Sequence, residues 1–236
     1  MQPTLADRAR PDHPPHVVGA LLALTFTTGL VDAVSLLGLG RVFTANMTGN
    51  LVLLGFAIAG TGGFSVAATL TSLIGFVAGA AAAAAIGRHV GARPRGWLRP
   101  ALTLEVVLIL AAAVLATQLT PGSSSGLRYA GIALLAAAMG ARSAAVRGLG
   151  IRDLNTTVIT MTLAGLAADA RLTGGNGAGG WRRAAGLAAL LAGAIAGALL
   201  LAHVDLAAPL FLAAVVAAVD LVLLSRLSGP RPSPGG

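Results

Sequence analysis

The sequence predicts an all-α integral membrane protein: about six transmembrane helices in two inverted three-helix repeats, each with a short re-entrant or broken helix. Three observations lead there. Of 236 residues, 56% are hydrophobic and only 10% charged, with a mean hydropathy of +0.85. Apolar runs of bilayer length recur along the chain, and Thr/Asn-rich segments recur at matching places in its two halves. A soluble domain of this size needs a polar surface that so few charged residues do not supply. At 1.5 Å per residue, about 20 apolar residues cross a hydrocarbon core of about 30 Å.

The polar, Pro-rich segment Met1 to His16 carries Arg8 and Arg10 and precedes the first run, Val17 to Gly38. That run exceeds the apolar core of a signal peptide and ends without a small-residue cleavage pattern, so it reads as a retained span. Five more full-length runs follow at Phe64 to Ile86, Ala101 to Leu119, Leu127 to Val146, Ala184 to Ala202 and Leu206 to Leu224. The tail, with Pro230, Pro232 and Pro234, has too little apolar surface to fold. The resulting division is a cytoplasmic tail (1–16), a first membrane repeat (17–122), a second (123–226) and a second cytoplasmic tail (227–236).

Met47 to Gly60 and Val158 to Ala168 are apolar but short for spanning. Each follows a polar approach: Thr44, Asn46, Thr48, Gly49 and Asn50 before the first, Thr156, Thr157, Thr160 and Thr162 around the second. Thr48, Asn50 and Leu51 align with Thr160, Thr162 and Leu163, while Gly75-x-x-x-Gly79 aligns with Gly193-x-x-x-Gly197. The positive-inside rule then decides the topology. With both short stretches re-entrant, 14 of the 16 Arg residues face inward, leaving Arg41 and Arg128 outside. An eight-span arrangement divides them evenly and is disfavoured. Spanning by the first stretch alone remains open on charge, with length and the repeat against it. Three spans per half is an odd number, so the second half enters the membrane inverted, with both termini cytoplasmic. The use of Arg without Lys, beside abundant Ala and Gly, suggests a GC-rich bacterium and hence its inner membrane.

Gly29-Leu-Val-Asp32-Ala33, followed by Val42-Phe43-Thr44-Ala45-Asn46-Met47-Thr48-Gly49-Asn50, resembles the hallmark of the YoaK family of bacterial multi-pass membrane proteins of unknown function. The resemblance covers Val17 to Arg226 and implies a membrane location and about six spans, without an activity. In the fourth span the family pattern often carries a Gln-Asn pair where this chain reads Arg142-Ser143.

Charged residues inside spans are costly, roughly 2.5 to 3.5 kcal/mol for a central Asp or Arg, and mark function or pairing. Asp32 and Arg142 each lie about sixteen residues into their spans, and an ion pair between the halves is one reading. The other leaves Arg142 reaching for the cytoplasm and Asp32 hydrogen-bonded near the outer interface. Glu105, near the start of its run, is expected to complement a helix dipole, and Asp220 to pair with Arg226. Asp169, His203 and Asp205 read as boundary residues.

The neutral polar groups admit two readings. They line a pathway for a small solute or ion, with Asp32, Thr44, Asn46, Thr48, Gly49, Asn50, Arg142, Thr156, Thr157, Thr160 and Thr162 as its residues. Alternatively they hydrogen-bond helix to helix in a non-transporting scaffold or regulatory protein. Enzyme chemistry is not expected: cysteine is absent, and His13, His16, His89 and His203 are scattered without metal-ligand spacing. No cofactor or metal is expected. The charge of +8 sits at span ends and aromatic residues are scarce, so the partner is the bilayer and not nucleic acid. The GxxxG pairs suit close helix packing, within the chain or in a homo-oligomer.

Overall fold

Long runs of Leu, Ala and Val offer the backbone no polar partner but itself, and helices satisfy every such group within one segment. A computed structural model describes residues 15–89, 98–120, 124–148, 163–164 and 180–227. Its elements are α1 (Pro15–Val34) with a π-helical turn (Ser35–Leu39), α2 (Met47–Ile58), α3 (Val66–His89), α4 (Leu98–Ala116), α5 (Ser125–Gly148), α6 (Gly180–His203) and α7 (Ala208–Leu227). Among the described residues there is no strand.

Five helical stretches are long and apolar enough to cross a membrane: Val18–Leu39, Val66–His89, Leu98–Ala116, Ser125–Arg147 and Gly180–His203. They coincide with the first five expected spans. The sixth corresponds to α7, whose stretch Ala208–Leu224 is a shorter apolar helix. Outward-facing Leu70, Ile74, Val77, Val107, Leu110, Leu191, Ile195 and Val215 leave the sides of the bundle apolar, as contact with lipid requires. The first short stretch is α2, whose 12 residues extend only about 18 Å. It rests on α3 and turns Leu51, Val52, Phe56 and Ile58 outward. The second, Val158 to Ala168, lies outside the described residues apart from Leu163 and Ala164.

Packing joins distant parts of the sequence: α3 lies against α5, α6 against α1, α4 against α5 and α7, and α7 against α1. Small residues bring two of these pairs into backbone contact. A Cβ on Gly29 of α1 would meet the Leu190 carbonyl oxygen and, at 2.6 Å, the Ala194 nitrogen of α6. A Cβ on Gly140 of α5 would meet the Phe76 carbonyl oxygen and, at 3.0 Å, the Ala80 nitrogen of α3. Seen from the facing helices, Gly193 would strike the backbone of Phe26, and Gly79 the backbone of Ala137. Like contacts therefore pair Gly79 with Gly193, one helical turn away from the sequence alignment of Gly75 with Gly193. A glycine at every fourth position makes both registers look alike in sequence, and only the contact partners separate them.

The interior divides into two apolar clusters. One unites Ala20, Leu21 and Leu24 with Ala83, Leu98, Ala101, Leu102, Ala145 and Leu224, drawn from the start of α1 and α4 and the end of α3, α5 and α7. The larger cluster fills the rest, around Leu30, Val34, Ile109, Ile132, Leu135 and Leu210.

Candidate functional site

Between these clusters lies a layer of charge. Glu105 falls between Leu102 and Ile109 on α4, Arg142 between Met139 and Ala145 on α5, and Asp220 between Ala217 and Leu224 on α7. Glu105 is seven residues from the start of α4, Asp220 seven from the end of α7 and Arg142 six from the end of α5. At 1.5 Å per residue all three lie about 10 Å in from the same end of the bundle. All are buried: Glu105 is 0%, Asp220 2% and Arg142 6% exposed.

Arg142 organises the layer. Its Nε donates to Glu105 Oε1 at 2.9 Å, and its Nη2 donates to the same oxygen. Nη1 donates to the Leu24 carbonyl at 2.6 Å and to Thr28 Oγ1 at 2.8 Å. Thr28 in turn donates to the Leu24 carbonyl at 3.0 Å, a back-bond that lets a hydroxyl lie inside an apolar helix. One guanidinium thus ties α5 to α4 and α1 by charge-assisted bonds. Asp220 lies within electrostatic reach of both Arg142 and Glu105. Glu105 Oε2 and Asp220 Oδ2 are buried without a hydrogen-bond partner among the described residues.

A second polar site occupies the other end. The π-helical turn closes α1 through a bond from Gly40 N to the Ser35 carbonyl, and residues 41–46 continue without helical bonds. Non-helical backbone in this setting needs internal partners. Asp32 Oδ1 supplies them, accepting from Thr44 N at 2.9 Å, Ala45 N at 3.0 Å and Thr44 Oγ1 at 3.4 Å. Asn50 does the same at Phe43: its Oδ1 accepts from Phe43 N at 2.9 Å and its Nδ2 donates to the Phe43 carbonyl at 2.7 Å. Nδ2 also donates to Ser72 Oγ on α3 at 3.0 Å, and Ser72 Oγ donates to the Phe43 carbonyl at 2.6 Å. Asn46 caps α2 by accepting from Gly49 N. Beyond this site Arg41 stacks on Phe64, 4.7 Å from the ring centre, and donates to the Gly62 carbonyl.

These contacts correct several expectations. Asp32 and Arg142 each bind other groups: Asp32 holds Thr44 and Ala45, while the guanidinium meets α1 at Leu24 and Thr28 and acts on Asp32 only through space. Glu105 is not a dipole companion but the counter-ion of Arg142. Asp220, on α7, lies within electrostatic reach of that pair; the side chain of its expected partner, Arg226, lies outside the described residues. Of the neutral groups, Thr44 and Asn50 are buried in bonds to their own chain, and Asn46 and Thr48 are exposed. Thr156, Thr157, Thr160 and Thr162 lie outside the described residues, as does Asp169. Asp205 is a boundary residue as expected, accepting from Ala207 N and Ala208 N at the start of α7. Thr28 escaped the sequence reading, since one hydroxyl in an apolar helix carries no signal of its partner.

Comparison with known proteins adds family. Residues 20–223 match the family described as "Protein of unknown function (DUF1275)". Over 150 residues, 63% of this chain, the sequence is 38% identical to the UPF0700 transmembrane protein YoaK of Bacillus subtilis (strain 168). The match spans 65% of that relative's length. No solved structure matches the chain.

Proposed function

We infer function from one premise: this chain belongs to the DUF1275 family, and it is a multi-pass membrane protein. We propose that it moves a small polar solute or ion across the bacterial inner membrane, and that the charged layer around Arg142 lies on the route. The observation that carries this reading is the burial of Glu105, Arg142 and Asp220 between two apolar clusters. A bundle that only had to persist in lipid gains nothing from three such groups, each of which raises the cost of insertion.

Similar packing in the two halves, read as an inverted repeat, supports the same reading. Asp32 is the eighteenth residue of α1 and Arg142 the eighteenth of α5. The α1–α6 and α5–α3 contacts have the same partners at Gly29 and Gly140, and α7 meets α1 as α4 meets α5. Under a two-fold axis in the membrane plane, α7 is the sixth crossing, and the register that matches Gly29 with Gly140 sets Asp32 against Ser143, the neighbour of Arg142. Such paired closures on a common core suit alternating access. The sixteen Arg residues orient the bundle with both termini and the loop before α4 in the cytoplasm, which places the Arg142 layer on the cytoplasmic side.

A second reading, a non-transporting scaffold, is favoured by the site at α2. There Asn50 and Thr44 spend their polar groups on Phe43 and Asp32, leaving nothing visible to offer a solute. The two readings part in proteoliposomes. Flux of ions, sugars, amino acids and organic cations is compared between the native chain and Arg142→Met. Transport of at least one solute, lost in the variant at equal incorporation, is expected; the absence of flux for the whole panel favours the scaffold.

A further inference from the structure

The charged layer holds more negative groups than its hydrogen bonds use. Arg142 is matched through one oxygen of Glu105, while Glu105 Oε2 and Asp220 Oδ2 are buried without partners among the described residues. Asp220 comes from a different helix, α7, which packs on α4 and α1. With both carboxylates ionised, the layer would hold two negative charges against one guanidinium, and a buried carboxylate without its own counter-charge is strongly unfavourable. A bound cation removes the excess. The guanidinium bound to Glu105 repels a metal ion, whereas a proton adds to a single oxygen.

We propose that Asp220, together with the unpartnered Oε2 of Glu105, is an exchangeable proton-binding site set against Arg142. The step balances simply: a carboxylate and one proton give the neutral acid. Proton release leaves two carboxylates sharing Arg142, which draws the guanidinium from the Leu24 carbonyl and Thr28 and so loosens α5 from α1. The charges acting on Asp220 are Arg142 on α5 and Glu105 on α4; on α1, Thr28 bonds Arg142, which also acts on Asp32 through space. The basic residues of α3 and α6, Arg88 and His89, Arg182 and Arg183, and His203, stand in the first or last turns of those helices. This inference rests on the transport reading for its purpose, making the proton the driving ion, but not for its test.

The test is infrared difference spectroscopy of the full chain in lipid vesicles during a pH titration, which reads the carbonyl stretch of protonated carboxyl groups directly. A component that appears on acidification should vanish completely in Asp220→Asn and persist, shifted, in Asp220→Glu. Circular dichroism and size exclusion confirm that each variant is folded. An acid band unchanged in Asp220→Asn overturns the proposal, as does the absence of any such band over the pH range in which the protein stays folded. Removal of the band by sodium chloride at fixed pH also overturns it, in favour of a metal cation. The spectrum needs no solute, so solute flux without the band sinks the proton site alone, and the band without flux sinks transport alone.

Discussion

Arg142→Met should be among the most damaging single changes in this protein, and the structure fixes how. The substitution keeps the apolar stem and removes four donated bonds: two to Glu105 Oε1 and one each to Leu24 and Thr28. What remains is a carboxylate at 0% exposure with both oxygens unpaired. Breaking a buried pair in this way costs about 3 to 5 kcal/mol in soluble proteins, and insertion scales for one charge within a span give roughly 2.5 to 3.5 kcal/mol. A loss of about 3 kcal/mol is therefore expected, and Glu105→Leu should cost a similar amount by stranding the guanidinium. The double variant removes both charges and should recover about 2 kcal/mol or more of the summed losses, since neighbours in one network do not add. Asp32→Asn combined with Arg142→Met should show the smaller coupling, because Arg142 makes no bond to Asp32 and acts on it only through space. Reversible unfolding in mixed micelles measures all of these. A larger coupling for Asp32 with Arg142 than for Glu105 with Arg142 would refute the account of the layer.

Other consequences are more local. Gly79→Val and Gly193→Val should each destabilise the bundle by about 2 kcal/mol or more, since each Cβ meets backbone that cannot rotate away. Gly55→Ala, with nothing within 4 Å, should be tolerated; equal tolerance at all three positions in an unfolding assay would contradict the packing. Asn50→Leu strands Phe43 N and should cost about 1 to 3 kcal/mol of stability, so any loss of flux should accompany a loss of folding, not leave it intact. A reporter fused near Pro94 should be active as a cytoplasmic fusion, and alkaline phosphatase activity there would exclude the proposed orientation.

Much of the fold is written in composition, because a span must be apolar along its whole length and that demand shows in every window. Helix ends in the structure fall within four residues of the expected runs, as at Leu98–Ala116 against Ala101 to Leu119. The short α2 was equally legible, since 12 residues cannot cross 30 Å. Pairing was not. Glu105 and Arg142 are 37 positions apart and meet because α4 and α5 run antiparallel, which a one-dimensional reading of depth could have tested by counting from a common face. Counting instead from each helix start sets Asp32 against Arg142, whereas the guanidinium bonds α1 earlier in the helix, at Leu24 and Thr28. Asn50 illustrates a different limit: an amide in a membrane chain looks the same whether it faces a solute or its own backbone, and only the bonds to Phe43 and Ser72 decide its local role. The repeat register failed for want of contrast, since Gly75, Gly79, Gly193 and Gly197 offer two alignments one turn apart.

The central claim is that water and solute reach the charged layer, and the cysteine-free chain allows a direct measurement. Thr28→Cys places a thiol of nearly the native size beside Arg142, in a position buried from the described surface. In folded protein reconstituted into vesicles, small water-soluble thiol reagents should modify this cysteine from at least one side, and Arg142→Met should change the rate. Complete protection from both sides, with Thr48→Cys on the exposed surface of α2 reacting normally, would contradict a pathway through the layer.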